Sequence, residues 1–408
     1  MKTRSLALAT IAACGMVACG GGGGGGGDSA AVSTTGAADS SIKMFGFSAS
    51  SVTEPAYTGN LADDGFAWTN YRRALIGLPA YARNTALDLA ARRHSVYVTL
   101  NGYAEGHFET LGNPGFSGVT PGSRAAAAGY AGTTVDENGS LGIISNAVEA
   151  IDGLIDAPYH RSSQFGPFNE AGTGADTTAT RGAYFVDFGG RNQAQGVPCG
   201  QLLAFPGSQS VNAPIAWTVR ESPSPVPDLD GTVVGYPISL DACRESSMQL
   251  ASFSLKDAGG AAVNGRLVST ISGLPLRYFA FWIPLQPLTG GTTYTASASG
   301  TLDNTPFSVA WQITTGTVTA VTYTASAAAL ASSSGNTLTV TASAGTGNPV
   351  QLSVATSRYF TTTYLRPNTA LLTRNATACA PLVESCFISA AGTDSLGRVG
   401  SNFVVSVQ

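Results

Sequence analysis

The sequence is organised around a stretch that begins with NTALDLAARRHSVYVTLNG at residues 84–102. Its apolar positions recur at intervals of three and four residues, which predicts an amphipathic helix. Asn84 is a favourable N-cap, and Asn101-Gly102 ends the pattern. His94 lies on the apolar face of this helix, where it is either a hydrogen-bonded core residue or part of the lining of a pocket.

All three histidines of the 408-residue chain lie in the region from His94 to His160. Between them, His107 begins a His-x-Glu run that ends at Glu109, and Glu137 follows in an Asp-Glu-Asn run. The chain beyond about residue 205 contains no histidine and is rich in β-strand patterns. Chemistry that needs titratable groups is therefore expected between residues 94 and 160.

The region around these histidines has the pattern of a mixed α and β domain. A helix capped by Ser145 is expected to end at Pro158, which places His160 on a loop. Ala183–Phe188 has strand character and is followed by two glycines. Helices followed by a few strands indicate the α+β class.

An ordered set of short motifs extends through the same region. In chain order they are Asn70-x-x-Arg73, Gly77-Leu78-Pro79, Leu87-x-x-Ala90-Ala91-x-x-His94, Gly106-His107, Arg124, Gly129-Tyr130, Glu137-Asn138 and Tyr159-His160-Arg161. This set resembles the CAP superfamily, the fold of cysteine-rich secretory proteins, plant pathogenesis-related proteins and many bacterial exported (SCP-type) proteins. The resemblance covers roughly residues 62–190 and implies an α–β–α sandwich with an open cleft.

The resemblance also implies which side chains line the cleft. His107 and His160 match the two histidines that the secretory branch of the family places there, and Glu137 matches one of two acids. The position of the second acid is occupied by Ala157, with Asp156 beside it. A complete set of two histidines and two acids is therefore not identified.

Glu109 is a candidate substitute for the missing acid. If its segment is extended, Glu109 and His107 share one face, because side chains two residues apart in a strand point the same way. The residues expected at the cleft are His107, Glu137, His160, Glu109 and His94.

Two imidazoles and a carboxylate permit three kinds of chemistry. His107, Glu137 and His160 can bind a divalent metal such as zinc, although no cofactor is required. They can also relay protons, since histidine titrates near neutrality. The third use is a charge-balanced hydrogen-bond network that holds the cleft open.

The motifs that would indicate catalysis are missing from the sequence. It has no Gly-x-Ser-x-Gly and no His-Glu-x-x-His, and Gly172-x-Gly174 lacks the third glycine of a phosphate loop. The CAP superfamily is mostly associated with binding sterols, fatty acids or partner proteins. The expected function is non-catalytic binding of a small apolar ligand, a cell-envelope component such as a glycan, or a partner protein. The alternatives are a metal-dependent or histidine-driven hydrolase of the cell envelope and a structural or adhesive surface protein.

The N-terminus predicts export. Residues 1–19 have a positive start, an apolar run and Met16-Val17-Ala18-Cys19 before a glycine run, and they resemble a bacterial lipoprotein signal with Cys19 as the lipidated residue. A second such run ends at Cys14, and an ordinary secretory signal is the other alternative. Gly20 after Cys19 resembles lipoproteins sorted to the outer membrane, so attachment there or at the cell surface is expected. Residues 20–61 are interpreted as a flexible Gly/Ser linker.

The composition argues against nucleic acid as a partner, and the number of cysteines agrees with an exported protein. Charged residues make up 11% of the chain, the net charge is −4, and no basic stripe is present, so nucleic acid is not an expected partner. Four cysteines remain after the signal, and an even number in an exported chain indicates disulfides. Proximity in sequence favours Cys199–Cys243 and Cys379–Cys386, with two other pairings open.

The remainder of the chain is predicted to form two β-sandwiches. Phe307, Val309, Trp311 and Ile313 alternate with polar residues, which is typical of a half-buried antiparallel strand. Strand patterns recur at short intervals through residues 206–316, which suggests a sandwich. The ordered runs Ser252-Phe253-Ser254-Leu255, Pro284-Leu285-x-Pro287-Leu288 and Trp311-x-Ile313-Thr314-Thr315 resemble bacterial Ig-like modules of surface proteins. Residues 317–408 form a second β-rich unit. The predicted order is a CAP-like domain at residues 62–205 followed by these two units, which are expected to act as spacers or in adhesion.

Overall fold

The fold is described by a computed structural model for residues 41–45, 52–103, 106–142, 144, 146–178, 181–208, 210, 212–271, 274–355, 357–376, 387–396, 398–400 and 403–407. These residues belong to one unit, Asp39–Gln408. The predicted signal sequence with Cys14 and Cys19, the predicted Ser145 cap and the predicted Cys379–Cys386 disulfide lie outside the described residues.

Residues 61–191 contain the helices and are called the helical domain below. The helices are α1 Leu61–Ala74, α2 Thr85–Leu100, α3 Pro121–Ala127, α4 Ala147–Asp156 and α5 Pro158–Gln164. The strands up to this point in the chain are β1 Lys43–Met44, β2 Ala82–Arg83, β3 Val135–Gly142, β4 Phe168–Thr177 and β5 Gly182–Arg191. A 3₁₀ turn follows at Gln193–Gln195.

The helical domain contains one four-stranded sheet with the strand order β2-β4-β5-β3, and helices pack on both of its faces. Phe185 of β5 packs in a cluster with Tyr97 of α2, on one face of the sheet. Its neighbours Tyr184 and Val186 point to the other face and belong to a cluster that includes residues of α1 and α4. The alternation along β5 therefore separates α2 from α1 and α4, and the domain is an α–β–α sandwich.

The helix termini are capped by asparagine side chains or begin with proline, and the starts of α4 and α5 differ from the sequence prediction. Asn84 caps α2 by accepting from backbone amides, as predicted. The cap of α4 is Asn146, whose side chain accepts from the amide of Glu149 at 2.8 Å. Pro158 is the first residue of α5, because proline is well tolerated where the amide has no helical partner. His160 therefore lies in the first turn of a helix, and its predicted place on a loop is wrong.

Two glycines of β4 allow α2 to lie directly on the sheet. A Cβ atom on Gly172 would be 2.1 Å from the amide nitrogen of Asp88, and one on Gly174 would be 2.1 Å from that of Arg92. These are backbone atoms of α2, so the helix would have to move away. The Gly172-x-Gly174 pair thus serves close packing.

Replacing Gly174 with alanine is expected to lower the free energy of unfolding by about 1–3 kcal/mol, because overpacking forces backbone shifts. The matched control is Gly153→Ala in α4, where a Cβ atom meets nothing within 4 Å. That change is expected to raise stability by about 0.5–1 kcal/mol, the helical advantage of alanine over glycine. Urea unfolding of both variants measures the difference. Equal effects would contradict the close contact between α2 and β4.

The first β-sandwich contains eight strands in two packed sheets, together with shorter ribbons, among the described residues. Its five-stranded sheet has the order β1-β6-β9-β14-β11, and its three-stranded sheet has the order β10-β15-β16. The strands beyond β5 are β6 Gln201–Phe205, β7 Ala216–Thr218, β8 Val233–Gly235, β9 Ile238–Ala242, β10 Met248–Lys256, β11 Gly265–Val268, β12 Thr270–Ile271, β13 Leu274–Pro275, β14 Phe279–Pro284, β15 Thr293–Leu302 and β16 Thr305–Thr314. The alternation predicted from Phe307 to Ile313 is confirmed, since Phe307, Trp311 and Ile313 are buried in β16.

The five-stranded sheet is covered on both faces. Leu240 of β9 packs in the core that the sheet shares with the three-stranded sheet. Phe281 of β14 belongs instead to the core that includes Ile151 and Leu154 of α4. The helical domain and the first β-sandwich are therefore joined by one continuous hydrophobic core.

This junction begins earlier in the chain than the predicted boundary at residue 205. Strand β6, placed by the prediction in the CAP-like domain, belongs to the five-stranded sheet, where β1 pairs with it in parallel. Strand β1 lies in the predicted flexible linker, and the amides of Thr58 and Gly59 donate to Asp64. The described part of that segment is thus held in place. The predicted disulfide Cys199–Cys243 is present and fastens the start of β6 to the end of β9.

The second β-sandwich has two four-stranded sheets with the orders β17-β19-β22-β21 and β18-β24-β23-β20. Its strands are β17 Thr322–Ala325, β18 Ala329–Leu330, β19 Thr337–Ser343, β20 Val350–Val354, β21 Phe360–Arg366, β22 Thr369–Arg374, β23 Phe387–Asp394 and β24 Phe403–Val407. Apolar side chains from both sheets form a core of their own. In the described part of the chain no helix is both long and apolar enough for a membrane crossing.

Candidate functional site

Two partly exposed histidines face each other at the edge of the helical domain. The ring centroids of His107 and His160 are 6.5 Å apart, and the ring planes are inclined by 35°. The side chain of His107 is 38% exposed and that of His160 is 16% exposed. The structure thus brings together, within reach of solvent, two residues that are 53 positions apart in the sequence (160 minus 107).

His107 is held by a buried carboxylate from the sheet. Its Nδ1 lies 2.8 Å from Oε1 of Glu137 in β3, and the Glu137 side chain is 1% exposed. Arg124 of α3 donates to Oε2 of Glu137 at 2.5 Å and to the carbonyl oxygen of His107 at 3.1 Å. One guanidinium therefore fixes both the carboxylate and the backbone of the histidine that this carboxylate orients.

A second carboxyl group lies beside Glu137. Asp187 of β5 is directly opposite Glu137 in the strand pairing and is completely buried. Burial and the adjacent Glu137 charge raise the pKa of Asp187 well above its ordinary value. Burial also opposes ionisation of Glu137, but the hydrogen bond with His107 and the charge of Arg124 outweigh it and lower the pKa of Glu137. Glu137 is therefore the ionised member of the pair and Asp187 the neutral one.

His160 is held by a carboxylate that the sequence analysis did not find. Its Nδ1 lies 2.7 Å from Oε1 of Glu221, and its backbone amide donates to the same oxygen at 2.9 Å. The side-chain amide of Asn138 donates to the carbonyl oxygen of His160 at 2.8 Å. Asp156, the acid closest to His160 in sequence, accepts instead from the hydroxyl of Tyr236. No local motif could have indicated Glu221, which is 61 residues from His160 in sequence.

His94 and Glu109 form a fully buried pair beside Glu137 and Arg124, so their predicted place in the lining of the cleft is wrong. Both side chains are fully buried, with Nδ1 of His94 at 2.9 Å from Oε1 of Glu109. Nε2 of His94 lies 2.8 Å from the carbonyl oxygen of Gly106. Both ring nitrogens are therefore occupied by contacts inside the core. The core-residue interpretation of His94 therefore applies.

Glu109 does not substitute for the second acid, because its oxygens are used within its own loop. It accepts from the amides of Ser117 and Gly118 at 2.6 and 3.2 Å. Burial opposes its ionisation, but these bonds and the one with His94 lower the pKa of Glu109. The His94–Glu109 pair therefore attaches the loop that carries His107 to helix α2.

The proposed zinc set of His107, Glu137 and His160 does not fit this geometry. Oε1 of Glu137 lies 2.8 Å from Nδ1 of His107 and 3.8 Å from Nε2 of His94, and Oε2 accepts from Arg124, so both oxygens are already surrounded by nitrogen groups of the protein. Among the described residues no group of three or more histidine, cysteine or acidic side chains is arranged to hold a metal. What remains is the pair of Nε2 atoms, for which the described residues supply no hydrogen-bond partner.

The arrangement therefore presents two oriented imidazoles. Each Nδ1 faces a buried carboxylate, so this nitrogen carries the proton in the neutral ring. Nε2 is then left as an acceptor with its lone pair free. Two such acceptors can receive hydrogen bonds from hydroxyl or amino groups of one ligand.

Comparisons with known proteins do not identify a family. No family model matches the sequence, and no curated protein matches it. The chain is similar to a solved extracellular protein containing an SCP domain from Bacillus anthracis strain Ames, at 20% identity and a TM-score of 0.28. That match covers 34% of this chain and 45% of the other, so the chain spans less than half of its length.

Two other similar structures are multi-domain β proteins. The fibronectin(III)-like modules of CbhA from Clostridium thermocellum match at 13% identity over 42% of this chain and 83% of the other, with a TM-score of 0.20. Tandem Ig repeats of Dlar match at 10% identity over 42% and 87%, with a TM-score of 0.14. TM-scores of this size do not establish a shared family.

Proposed function

We propose that this chain is an exported binding protein that holds a polar group of a cell-envelope component between His107 and His160, without catalysis. The observation that carries the proposal is the 6.5 Å separation of two partly exposed rings, each oriented by a buried carboxylate. The proposal keeps the exported, lipid-anchored location that the N-terminal sequence predicts, with attachment at Cys19.

The chemistry of the pair selects among the ligand classes that the sequence left open. Two Nε2 acceptors match a ligand that presents neighbouring hydroxyl or amino groups. A wholly apolar molecule would leave both acceptors unpaired and would lose the hydrogen bonds that they make with water. An envelope glycan, which carries many hydroxyl groups, fits the pair better than a sterol-like ligand does.

Histidine-driven hydrolysis is the second candidate. A carboxylate at Nδ1 is also how a general base is oriented, so His107 or His160 can accept a proton from water. Binding and hydrolysis are separated by product formation. Soluble fragments released from the glycan support the hydrolase, and retention of the protein on an intact glycan supports the binding protein.

Purified insoluble peptidoglycan is the probe for this proposal. The full chain is expected to sediment with it at pH 7, and His107→Ala or His160→Ala is expected to weaken binding about tenfold, a loss of about 1.4 kcal/mol for one hydrogen-bonding group. The measurement is the bound fraction against glycan concentration, with released sugars assayed in the supernatant.

The matched control is Phe387→Ala, which removes an exposed side chain of the second β-sandwich. It is expected to bind like the unmodified chain. Unchanged binding by both histidine variants, or no sedimentation of the unmodified chain, would overturn the proposal for a glycan ligand.

A further inference from the structure

Glu221 belongs to the chain segment of the first β-sandwich, outside the helical domain. It lies between β7 and the 3₁₀ turn at Pro227–Leu229. Its side chain is nevertheless fully buried against His160 of α5. A residue from one part of the protein thus reaches into the candidate site of another.

One oxygen of Glu221 makes two bonds to the same residue. Oε1 accepts from the backbone amide of His160 at 2.9 Å and faces Nδ1 at 2.7 Å. The N-cap position of α5 is Ala157, whose methyl side chain cannot accept a hydrogen bond from the free amides of the first turn. Glu221 supplies that missing acceptor, so it fixes the helix terminus and the ring together.

The residues on either side of His160 are bound to the same β-sandwich. The hydroxyl of Tyr159 donates to the carbonyl oxygen of Thr270 at 2.8 Å. Arg161 donates to the carbonyl oxygen of Pro237 at 3.0 Å and is completely buried. Three consecutive residues of α5 are therefore positioned by contacts from outside the helical domain.

From these contacts we infer that Glu221 is the positioning residue of His160, and that the first β-sandwich is a structural part of the binding site. The predicted role of this unit as a spacer does not account for the contacts. Glu221 selects the tautomer of His160 in which Nδ1 carries the proton and Nε2 accepts. The consequence for ligand binding rests on the proposed function, whereas the tautomer itself does not.

Leucine at position 221 keeps a side chain of similar size but removes both carboxylate oxygens. Nδ1 of His160 then has no acceptor, so the tautomer with the proton on Nε2 becomes compatible with the site. The matched control is Glu245→Leu, which makes the same change at an exposed side chain in the same β-sandwich.

Long-range ¹H–¹⁵N spectra of the full chain, labelled in histidine, read the tautomers directly because the sequence has three histidines. In the neutral ring, His160 is expected to show a protonated Nδ1 and a free Nε2. In Glu221→Leu the two nitrogen shifts of His160 are expected to move toward each other, while those of His107 stay unchanged. Glu245→Leu is expected to leave all three histidines unchanged.

The unmodified chain alone can overturn the inference. If His160 carries its proton on Nε2 there, Glu221 does not select the tautomer, even if the leucine variant fails to fold. An unchanged His160 spectrum in a folded Glu221→Leu chain has the same meaning. Both readings are made without glycan, so they are independent of whether the proposed ligand binds.

Discussion

Methionine in place of Arg124 is expected to lower the free energy of unfolding by about 3–5 kcal/mol, the cost of removing one partner from a buried ion pair. Arg124 is completely buried, donates to Glu137 at 2.5 Å and has Nε at 3.8 Å from Glu109. Methionine fills much of the same volume, so the loss reports mainly the two carboxylates that are left without their cation.

Urea unfolding at pH 7 measures this loss. The matched control is Arg92→Met on the exposed side of α2, which is expected to change stability by no more than about 0.5 kcal/mol. Histidine spectra of Arg124→Met are also expected to change at His107, because Arg124 bonds its carbonyl oxygen. Similar stabilities of the two variants would show that the buried carboxylates do not depend on Arg124.

Asp241→Asn is expected to raise the free energy of unfolding at pH 7 by up to about 3 kcal/mol. Asp241 of β9 is 6% exposed, and burial, partly offset by the Ser239 hydroxyl and the charge of Arg161, raises its pKa from 3.8 to about 6. A difference of about two pKa units corresponds to about 3 kcal/mol. Asparagine keeps the shape and cannot ionise, so it avoids the cost of a buried charge.

The sign of the pH dependence follows from the raised pKa of Asp241. Between about pH 4 and pH 6 the folded state holds a proton that the unfolded state has released, so this group's contribution to stability falls as pH rises. The unfolding free energies of the unmodified chain and Asp241→Asn are therefore expected to diverge across this window and to run parallel above it. Asp230→Asn, at an exposed position, is the control and is expected to follow the unmodified chain. Parallel curves for Asp241→Asn from pH 4 to 8 would contradict the raised pKa.

Local patterns in the sequence were sufficient to predict helix α2 and some of the residues of the candidate site. Asn84 and the apolar positions of α2 predict that helix, because capping and helical periodicity involve neighbouring residues only. The ordered motifs around His107, Glu137 and His160 pointed to residues that the structure does place together. Their meeting depends on how β3 and α5 pack, which the resemblance implied and the spacing alone does not.

Other assignments failed because they depend on contacts that sequence distance does not describe. Glu109 is two residues from His107, yet it turns inward to His94 and the amides of its own loop. Asp156 is four residues from His160, yet it bonds Tyr236 of the β-sandwich. In both cases a buried carboxylate takes the donors that packing brings to it, since an unpaired buried charge is costly.

By itself, the sequence determined the start of α2, the alternation of β16 and the cysteines available for disulfides, because each rests on a short-range pattern or on composition. The motif resemblance added the two histidines of the candidate centre. Only the tertiary structure decided that Glu221 completes that centre and that a single core joins the helical domain to the first β-sandwich. The physical reason is that hydrogen bonds and apolar contacts depend on proximity in space. A partner 61 residues away becomes adjacent only when both sheets have formed and packed.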